Sequence, residues 1–215
     1  MARRRVATRG HTVPVYQALA GALRTRLGND PASLLDVGCG EGGFLRSLQE
    51  HPGLERHGMD ISPASIELAA KASPEVLFVV ANADRTLPYA EESFDVLSAI
   101  DSRVNAIEFE RVLGERGLIL VAVPGPDDLI ELRERIQGAK VLKSRTDKVR
   151  NDLHARFTLA DRMTVRESRT LEPPELRDLL SATYRGFRRS EQAAIEALTS
   201  LTVTLSHDIL VFKRR

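Results

Sequence analysis

Between about residue 14 and residue 136, short apolar runs of strand length alternate with stretches in which apolar positions return every three or four residues. That alternation predicts an α/β fold built on a mostly parallel sheet. The first helical stretch runs from Pro14, at an N1-like position, to Leu27, and Gly28-Asn29 closes it. Ser33 to Val37 reads as a short buried strand. It runs into Gly38-Cys39-Gly40-Glu41-Gly42-Gly43 and then a helix carrying Phe44, Leu45 and Leu48. A second strand ends at Asp60, and Ser62-Pro63 opens a helix containing Ile66, Leu68 and Ala69. Val76 to Val80 and Phe94 to Ile100 supply a third and a fourth strand. A helix with Phe109, Val112 and Leu113 then leads through a Gly114-to-Gly117 turn into Leu118 to Val123, the most apolar run of the chain.

Beyond this core the pattern weakens. From residue 138 to residue 161 charges crowd in, which predicts a mobile, partly helical insertion forming a lid over a ligand. Met163 to Leu171 and Thr202 to Phe212 read as two more strands around a helix from about Pro174 to Ala182. The whole, residues 1–215, reads as one domain in which residues 1–30 form an N-terminal basic segment and helix.

Composition narrows the function classes. With 42% hydrophobic and 28% charged residues the chain is neither disordered nor fibrous. No run approaches the ~18 apolar residues of a membrane span, and the basic head Met1 to Val6 is followed by no apolar stretch. Cys39 is the single cysteine, so an internal disulfide and a thiolate zinc cluster are both ruled out, and a cytoplasmic location is expected. A net charge of +1 gives no global field to attract nucleic acid, and 5% aromatics without Trp make a poor stacking platform. Any RNA contact must come from three local clusters: Arg3, Arg4, Arg5 and Arg9; Lys140, Lys143, Arg145, Lys148 and Arg150; and Lys213, Arg214 and Arg215. His11, His154 and His207 lack metal-ligand spacing, so no metal is expected.

The glycine turn carries the chemistry. Glycines after a first strand let a ligand approach the backbone, and the helix behind them offers unpaired N–H groups. Asp36, two places before the first glycine, would repel a pyrophosphate but suits an ammonium or a sulfonium. Asp60 closes the next strand about twenty residues on, where a carboxylate can take both ribose hydroxyls. Cys39 lies between two glycines with no histidine near it in sequence, so it reads as packing and not as a nucleophile.

Leu35 to Gly42, with Met59-Asp60-Ile61-Ser62, Leu87-Pro88-Tyr89 and Ser93-Phe94-Asp95, resembles the cofactor motifs of class I S-adenosylmethionine-dependent methyltransferases. The resemblance implies a Rossmann-like sheet of seven strands, the last antiparallel, with helices on both faces. It also implies that Gly38, Cys39 and Gly40 line the methionine moiety of S-adenosyl-L-methionine, that Asp60 holds the ribose, and that Ile61 and Ile100 join the cofactor site. Asn82-Ala83 stands where the family usually has Asp-Ala at the adenine edge, and the spacing to Leu87-Pro88 is one residue longer. Acceptor-handling residues are implied just after the fourth strand, in Ala99 to Asn105. There Asp101 reads either as a base or acceptor anchor, or, with Ser102, as a cap of the next helix.

Further along, Thr86 to Tyr89 and Val123-Pro124-Gly125-Pro126-Asp127-Asp128-Leu129 to Leu132 resemble the ribosomal RNA guanine-N1 methyltransferases of the large subunit, as do Ala2 to Arg4 and Gly10-His11. That likeness implies ribosomal RNA as partner and makes Asp101 catalytic, with His11 and Arg103 on the substrate side. The family carries an N-terminal zinc module, and this chain begins where that module would end. Asp128 replaces a common His, and Thr183-Tyr184 replaces a Thr-Pro pair. These departures fall on the RNA and acceptor side, so two alternatives stand beside the leading expectation. One is a small-molecule N- or O-methyltransferase of natural products or metabolites; the other is a non-catalytic cofactor-binding regulatory protein.

Overall fold

The computed structural model describes residues 5–6, 9–28, 30–51, 53–137, 144–183 and 189–215. Its centre is a seven-stranded sheet in the order β3-β2-β1-β4-β5-β7-β6. The strands are β1 (Ala32–Val37), β2 (Leu54–Asp60), β3 (Leu77–Val80), β4 (Phe94–Ile100), β5 (Leu113–Pro124), β6 (Phe157–Leu171) and β7 (Leu201–Arg214). The pairs from β3 through β5 are parallel, and β7 alone runs antiparallel, between β5 and β6. Chain order reverses at β1, which pairs with β2 on one side and β4 on the other. In open α/β sheets the crevice beyond the strand ends at such a switch point is where ligands bind.

The helices are α1 (Val13–Leu27), α2 (Gly43–Ser47), α3 (Pro63–Ala72), α4 (Ala106–Val112), α5 (Ile130–Gln137), α6 (Thr146–Leu153), α7 (Pro173–Thr183) and α8 (Arg189–Glu196). Alternation along each strand sends successive side chains to opposite faces. Leu34, Val96, Leu120, Ile209 and Val211 pack under Leu19 and Leu23 of α1, with Phe44 and Ile66 from α2 and α3. Leu35, Leu97, Ile119, Val121 and Phe212 pack on the other face under Phe109 and Val112 of α4.

Val149 and Leu153 of α6 belong to that second core, so the predicted lid needs correction. Residues 138–143 lie outside the described residues, and residues 144–161 form α6, its exit turn and the start of β6. The charges misled because they line the outer face of a short helix: Lys148 pairs with Asp152 at 2.6 Å and Arg150 with Asp147 at 3.8 Å, while Val149 and Leu153, four apart, point inward. Thr146 at the helix start is buried and donates to Asp208 Oδ2 at 2.6 Å.

The domain has a third core. β6 and β7 continue past Pro124, the last residue of β5, as a two-stranded ribbon pairing Arg166 to Leu171 with Leu201 to Ser206. At roughly 3.3 Å per residue the ribbon stands about 20 Å beyond the parallel strand ends. Leu129 and Leu132, Leu176, Leu179 and Leu180 of α7, Ile195 of α8, and Val203 and Leu205 of the ribbon form its apolar centre. The elements that rise over the ligand edge of the sheet are therefore α5, α7, α8 and this ribbon. The sequence pattern predicts the Pro174 helix but gives no sign of α8.

Candidate functional site: the switch-point crevice

The glycine turn is held by its own backbone. Gly38 and Cys39 donate their N–H groups to the Met59 carbonyl at 2.7 and 2.9 Å, fastening the turn to the end of β2. Gly38 has φ +80°, and a Cβ there would stand 2.0 Å from Ser102 Oγ, so glycine is required and the loop after β4 lies directly on the turn. Gly40 (φ +55°) has nothing within 4 Å of where a Cβ would be, which leaves open space above its backbone.

Asp60 closes the loop from the other side. Its Oδ2 accepts the Gly40 N–H at 2.9 Å and its Oδ1 accepts the Ser62 N–H at 2.8 Å, so one carboxylate fixes both the glycine turn and the entrance to α3. Ser62 in turn caps α3, accepting the Ser65 N–H. Ile61 beside it is an exposed large apolar side chain at 66% exposure.

Asp36 is buried at the end of β1 and accepts Ser98 Oγ–H at 2.7 Å. Burial pushes its pKa up to about 7 against the Ser98 hydrogen bond, and the neighbouring Asp60 charge adds to the rise. A buried carboxyl poised there gains most from a cationic partner. Tyr16 of α1 feels the charges of both Asp36 and Asp101, which places this helix against the same crevice. Burial likewise drives the Cys39 thiol far above its ordinary range, and its Sγ packs against Gly58, a setting that favours the neutral thiol.

After β3, Asn82 Oδ1 accepts the Asp84 N–H at 2.9 Å and the Ala83 carbonyl accepts Asn105 Nδ2–H at 3.2 Å. Asn82 thus shapes the turn with its carbonyl. Ile100 ends β4, half-buried, as the strand leaves the first core. Arg103 lies exposed beside Asp84, Nε to Oδ2 3.4 Å. The Asp84 pair borders a shallow depression of about 600 Å³ between the start of α4 and α6, lined by Asn105, Ile107, Lys148 and Arg156 among others.

Asp101 does not cap α4. Asn105 does, accepting the Glu108 N–H through its side chain. Asp101 instead sits at φ +50°, its N–H bonded to the Ala122 carbonyl at 2.9 Å, and its Oδ2 lies 3.2 Å from His207 Nε2. Asp128 stands close enough for its charge to act on His207, and its Oδ1 accepts the Ser206 N–H at 3.0 Å. Burial pushes the Asp128 pKa up to about 6. Leu129 next to it also has positive φ, +52°. Backbone strain of this kind costs ~1–3 kcal/mol per residue and gathers at functional sites.

His207 and Asp128 escape the sequence reading as site residues. His207 meets Asp101 only because β7 returns antiparallel beside β5 in a register that sets His207 opposite Pro124. The one local signal is a histidine inside an otherwise apolar strand pattern. His11 is not in this group. It is buried against Arg169 and Glu175, with Nε2 to Glu175 Oε1 3.9 Å, and burial, then the Arg169 charge, lower its pKa.

Among the described residues the basic clusters do not converge. Arg5 and Arg9 both clamp Asp178 of α7, Arg5 Nε donating to Oδ1 and Oδ2 at 2.9 and 2.8 Å and Arg9 Nη1 to Oδ2 at 3.1 Å. Lys213 and Arg214 pair with Leu118 and Phe157 at the opposite edge of the sheet from the crevice. Arg3, Arg4, Lys140 and Lys143 lie outside the described residues.

This turn, with an acid at the end of each of the first two strands below a switch point, defines a class. Residues 34–116 match the family described as a methyltransferase domain. The match takes in the glycine turn and both acids, and the crevice fits S-adenosylmethionine as cofactor. Open backbone above Gly40, a ribose-height carboxylate at Asp60, an exposed apolar Ile61 and a buried Asp36 match its charged amino-acid end, diol and base. Among curated proteins, the chain is similar to the Bacillus subtilis protein YxjB, which bears the provisional name 23S rRNA (guanine-N(1)-)-methyltransferase. The two are 35% identical over 126 residues, 56% of this chain and 44% of YxjB. It is also similar to the 23S rRNA (guanine(748)-N(1))-methyltransferase of Streptomyces fradiae, 28% identical over 165 residues, 76% of this chain and 59% of that protein. The chain thus spans about half the length of these relatives. Methyltransferases named for small molecules match over shorter spans, 42–48% of this chain. Among solved structures, the YcgJ protein of Bacillus subtilis shares the fold at TM-score 0.65 and 16% identity, covering 93% of this chain and 99% of that one. Among the described residues no helix is long and apolar enough to cross a membrane.

Proposed function

We propose that this chain is an S-adenosylmethionine-dependent methyltransferase acting on a guanine N1 of large-subunit ribosomal RNA, in the cytoplasm. The observation that carries the reading is the acceptor side. A carboxylate, Asp101, is held at strained φ beside the glycine turn and backed by an imidazole, where a proton must be removed. Guanine N1 bears a proton that has to leave as the new bond forms, whereas a tertiary amine or a thioether has no proton to lose. Support also comes from the relatives, because those named for 23S rRNA match over 56% and 76% of this chain, against 42–48% for those named for small molecules.

In this reading the cofactor supplies a methyl group on a cationic sulfur. Gly38 to Gly40 accommodate its amino-acid end, Asp60 takes the ribose hydroxyls, and buried Asp36 offsets positive charge. Asp101 takes the N1 proton as the acceptor is held in line, and positioning supplies most of the rest of the acceleration. Arg103, exposed just after β4, is the side chain proposed to meet the substrate.

The test is transfer of labelled methyl to unmodified ribosomal RNA, followed by reverse transcription. The expected product is a labelled RNA with a discrete stop at a guanine, because an N1-methyl blocks the pairing edge. Cofactor binding without labelled RNA would contradict the reading and move the acceptor to small molecules, the reading that shorter-span relatives favour.

A further inference from the structure

The junction of β4 and β7 holds a cluster that cofactor binding does not use. His207 lies between Asp101 at the end of β4, Asp128 in the loop before α5 and Asp208 on its own strand, all three acting on it by charge. Two of these carboxylates are occupied. Asp208 accepts Thr146 and Thr164 hydroxyls at 2.6 and 2.7 Å and Arg162 Nη2 at 2.9 Å, and Asp128 holds the Ser206 N–H. The nearby cations are committed as well: Arg166 of β6 pairs with Asp127 at 2.8 Å, and Arg133 of α5 donates to the Pro126 and Asp128 carbonyls. The direct partner of the ring is Asp101, whose side chain is 44% exposed against 21% for His207. The carboxylate is the outer member of the pair and the imidazole the inner one.

We propose that His207 is the positioning residue behind Asp101, its Nε2–H donating to Oδ2 and orienting the carboxylate that takes the proton the acceptor loses. The proposal rests on the reading that Asp101 meets the acceptor nitrogen. As the nitrogen–methyl bond forms and the sulfur–methyl bond breaks, with its electron pair left on sulfur, the acceptor N–H gives its proton to Asp101. Asp101, half exposed, then returns that proton to water, while His207 Nε2–H stays on the carboxylate and holds it in place. Burial works against protonation of His207, but the Asp101 hydrogen bond and the charges of Asp101, Asp128 and Asp208 outweigh it, so the pKa is raised above 6.5. The neutral ring leaves the carboxylate its full negative charge for the incoming proton, whereas the imidazolium offsets it, so turnover falls as pH falls through that raised value.

Two measurements decide it. In protein labelled with ¹⁵N at histidine, with His207 assigned by the spectrum of His207→Gln, the ring should titrate above pH 6.5, and the midpoint should drop in Asp101→Asn and, by less, in Asp128→Asn. A midpoint at or below 6.5, or one indifferent to Asp101→Asn, overturns the pairing. In methyl transfer to unmodified ribosomal RNA from about pH 5.5 to about pH 9, the wild-type rate should fall on the acid side with the midpoint seen by NMR. His207→Gln should lose that limb and run at least ~10-fold slower with cofactor affinity unchanged. A His207→Gln protein that keeps both limb and rate overturns the proposal. Absence of transfer by the wild type at every pH overturns the guanine reading instead, and the titration then decides the pair by itself.

Discussion

Around β1 and β2 the site is built by backbone over short distances, whereas around β5 and β7 it is built by side chains brought from far apart. Gly40 and Asp60, joined by a hydrogen bond, are 20 residues apart; Asp101 and His207 are separated by 106. In the proposed function the first region binds the ribose and the charged amino-acid end of the cofactor, and its geometry follows from glycine conformations and two carboxylates. The second is proposed to select the acceptor and manage its proton, and its geometry depends on the register of the β5–β7 pairing. Substitutions should therefore divide cleanly between loss of cofactor binding and loss of turnover.

The sharpest break is expected at Gly38→Ala. A methyl 2.0 Å from Ser102 Oγ and 2.7 Å from its Cβ, on a residue at φ +80°, must open the turn. Calorimetry should find cofactor affinity reduced at least ~10-fold, the equivalent of ~1–3 kcal/mol of strain, in a protein whose circular dichroism still shows the folded sheet. Asp60→Ala comes next. It orphans the Gly40 and Ser62 N–H groups and removes the ribose acceptor, so cofactor binding should weaken by roughly 1–3 kcal/mol while the pH midpoint of His207 stays put.

Asp36 sharpens the comparison through pH. Its folded pKa, about 7, exceeds the unfolded value of ~3.9, so the folded state holds the extra proton between them. Stability of the free protein should then fall as pH rises from about 4 to about 7 and level off above, and Asp36→Asn should remove that decline in urea melts. A cationic ligand favours the ionised form, so cofactor affinity should increase several-fold from about pH 6 to about pH 8 in the wild type and stay flat in Asp36→Asn.

The smallest effect belongs to the clamp on the third core. The hydrogen bond from Arg5, with the Arg5 and Arg9 charges, holds Asp178 below the ordinary carboxylate range despite partial desolvation. Its contribution is present above the unfolded pKa of ~3.9 and disappears as pH falls through the lower folded value. Asp178→Asn should cost up to about 1 kcal/mol at neutral pH in chemical denaturation, with cofactor affinity unchanged.

The same contrast explains what the sequence disclosed. The strand ends at Val37, Asp60, Val80 and Ile100 and the Ser62-Pro63 start of α3 are visible because short-range periodicity and capping chemistry determine them. The glycine turn and Asp60 were legible for the same reason. Legibility failed where distant contacts override local pattern. The Gly114-to-Gly117 turn is absorbed into β5 because pairing with β4 resumes across an irregularity between Phe94 and Val96. The charged 138–161 stretch hides a helix with only two inward apolar side chains, and Arg5 and Arg9, read as candidates for phosphate, are spent on Asp178. Nothing local announces that His207 faces Asp101.

The most direct test of this division of labour compares wild type with Asp101→Asn for two quantities on the same preparation: cofactor affinity by calorimetry and labelled methyl transfer to unmodified ribosomal RNA. The expected result is unchanged affinity with transfer slowed by about 100-fold or more, as removal of a proton acceptor gives. Transfer at the wild-type rate, or a loss of cofactor binding as large as that of Asp60→Ala, would contradict the assignment of Asp101 to the acceptor and with it the separation of the two halves.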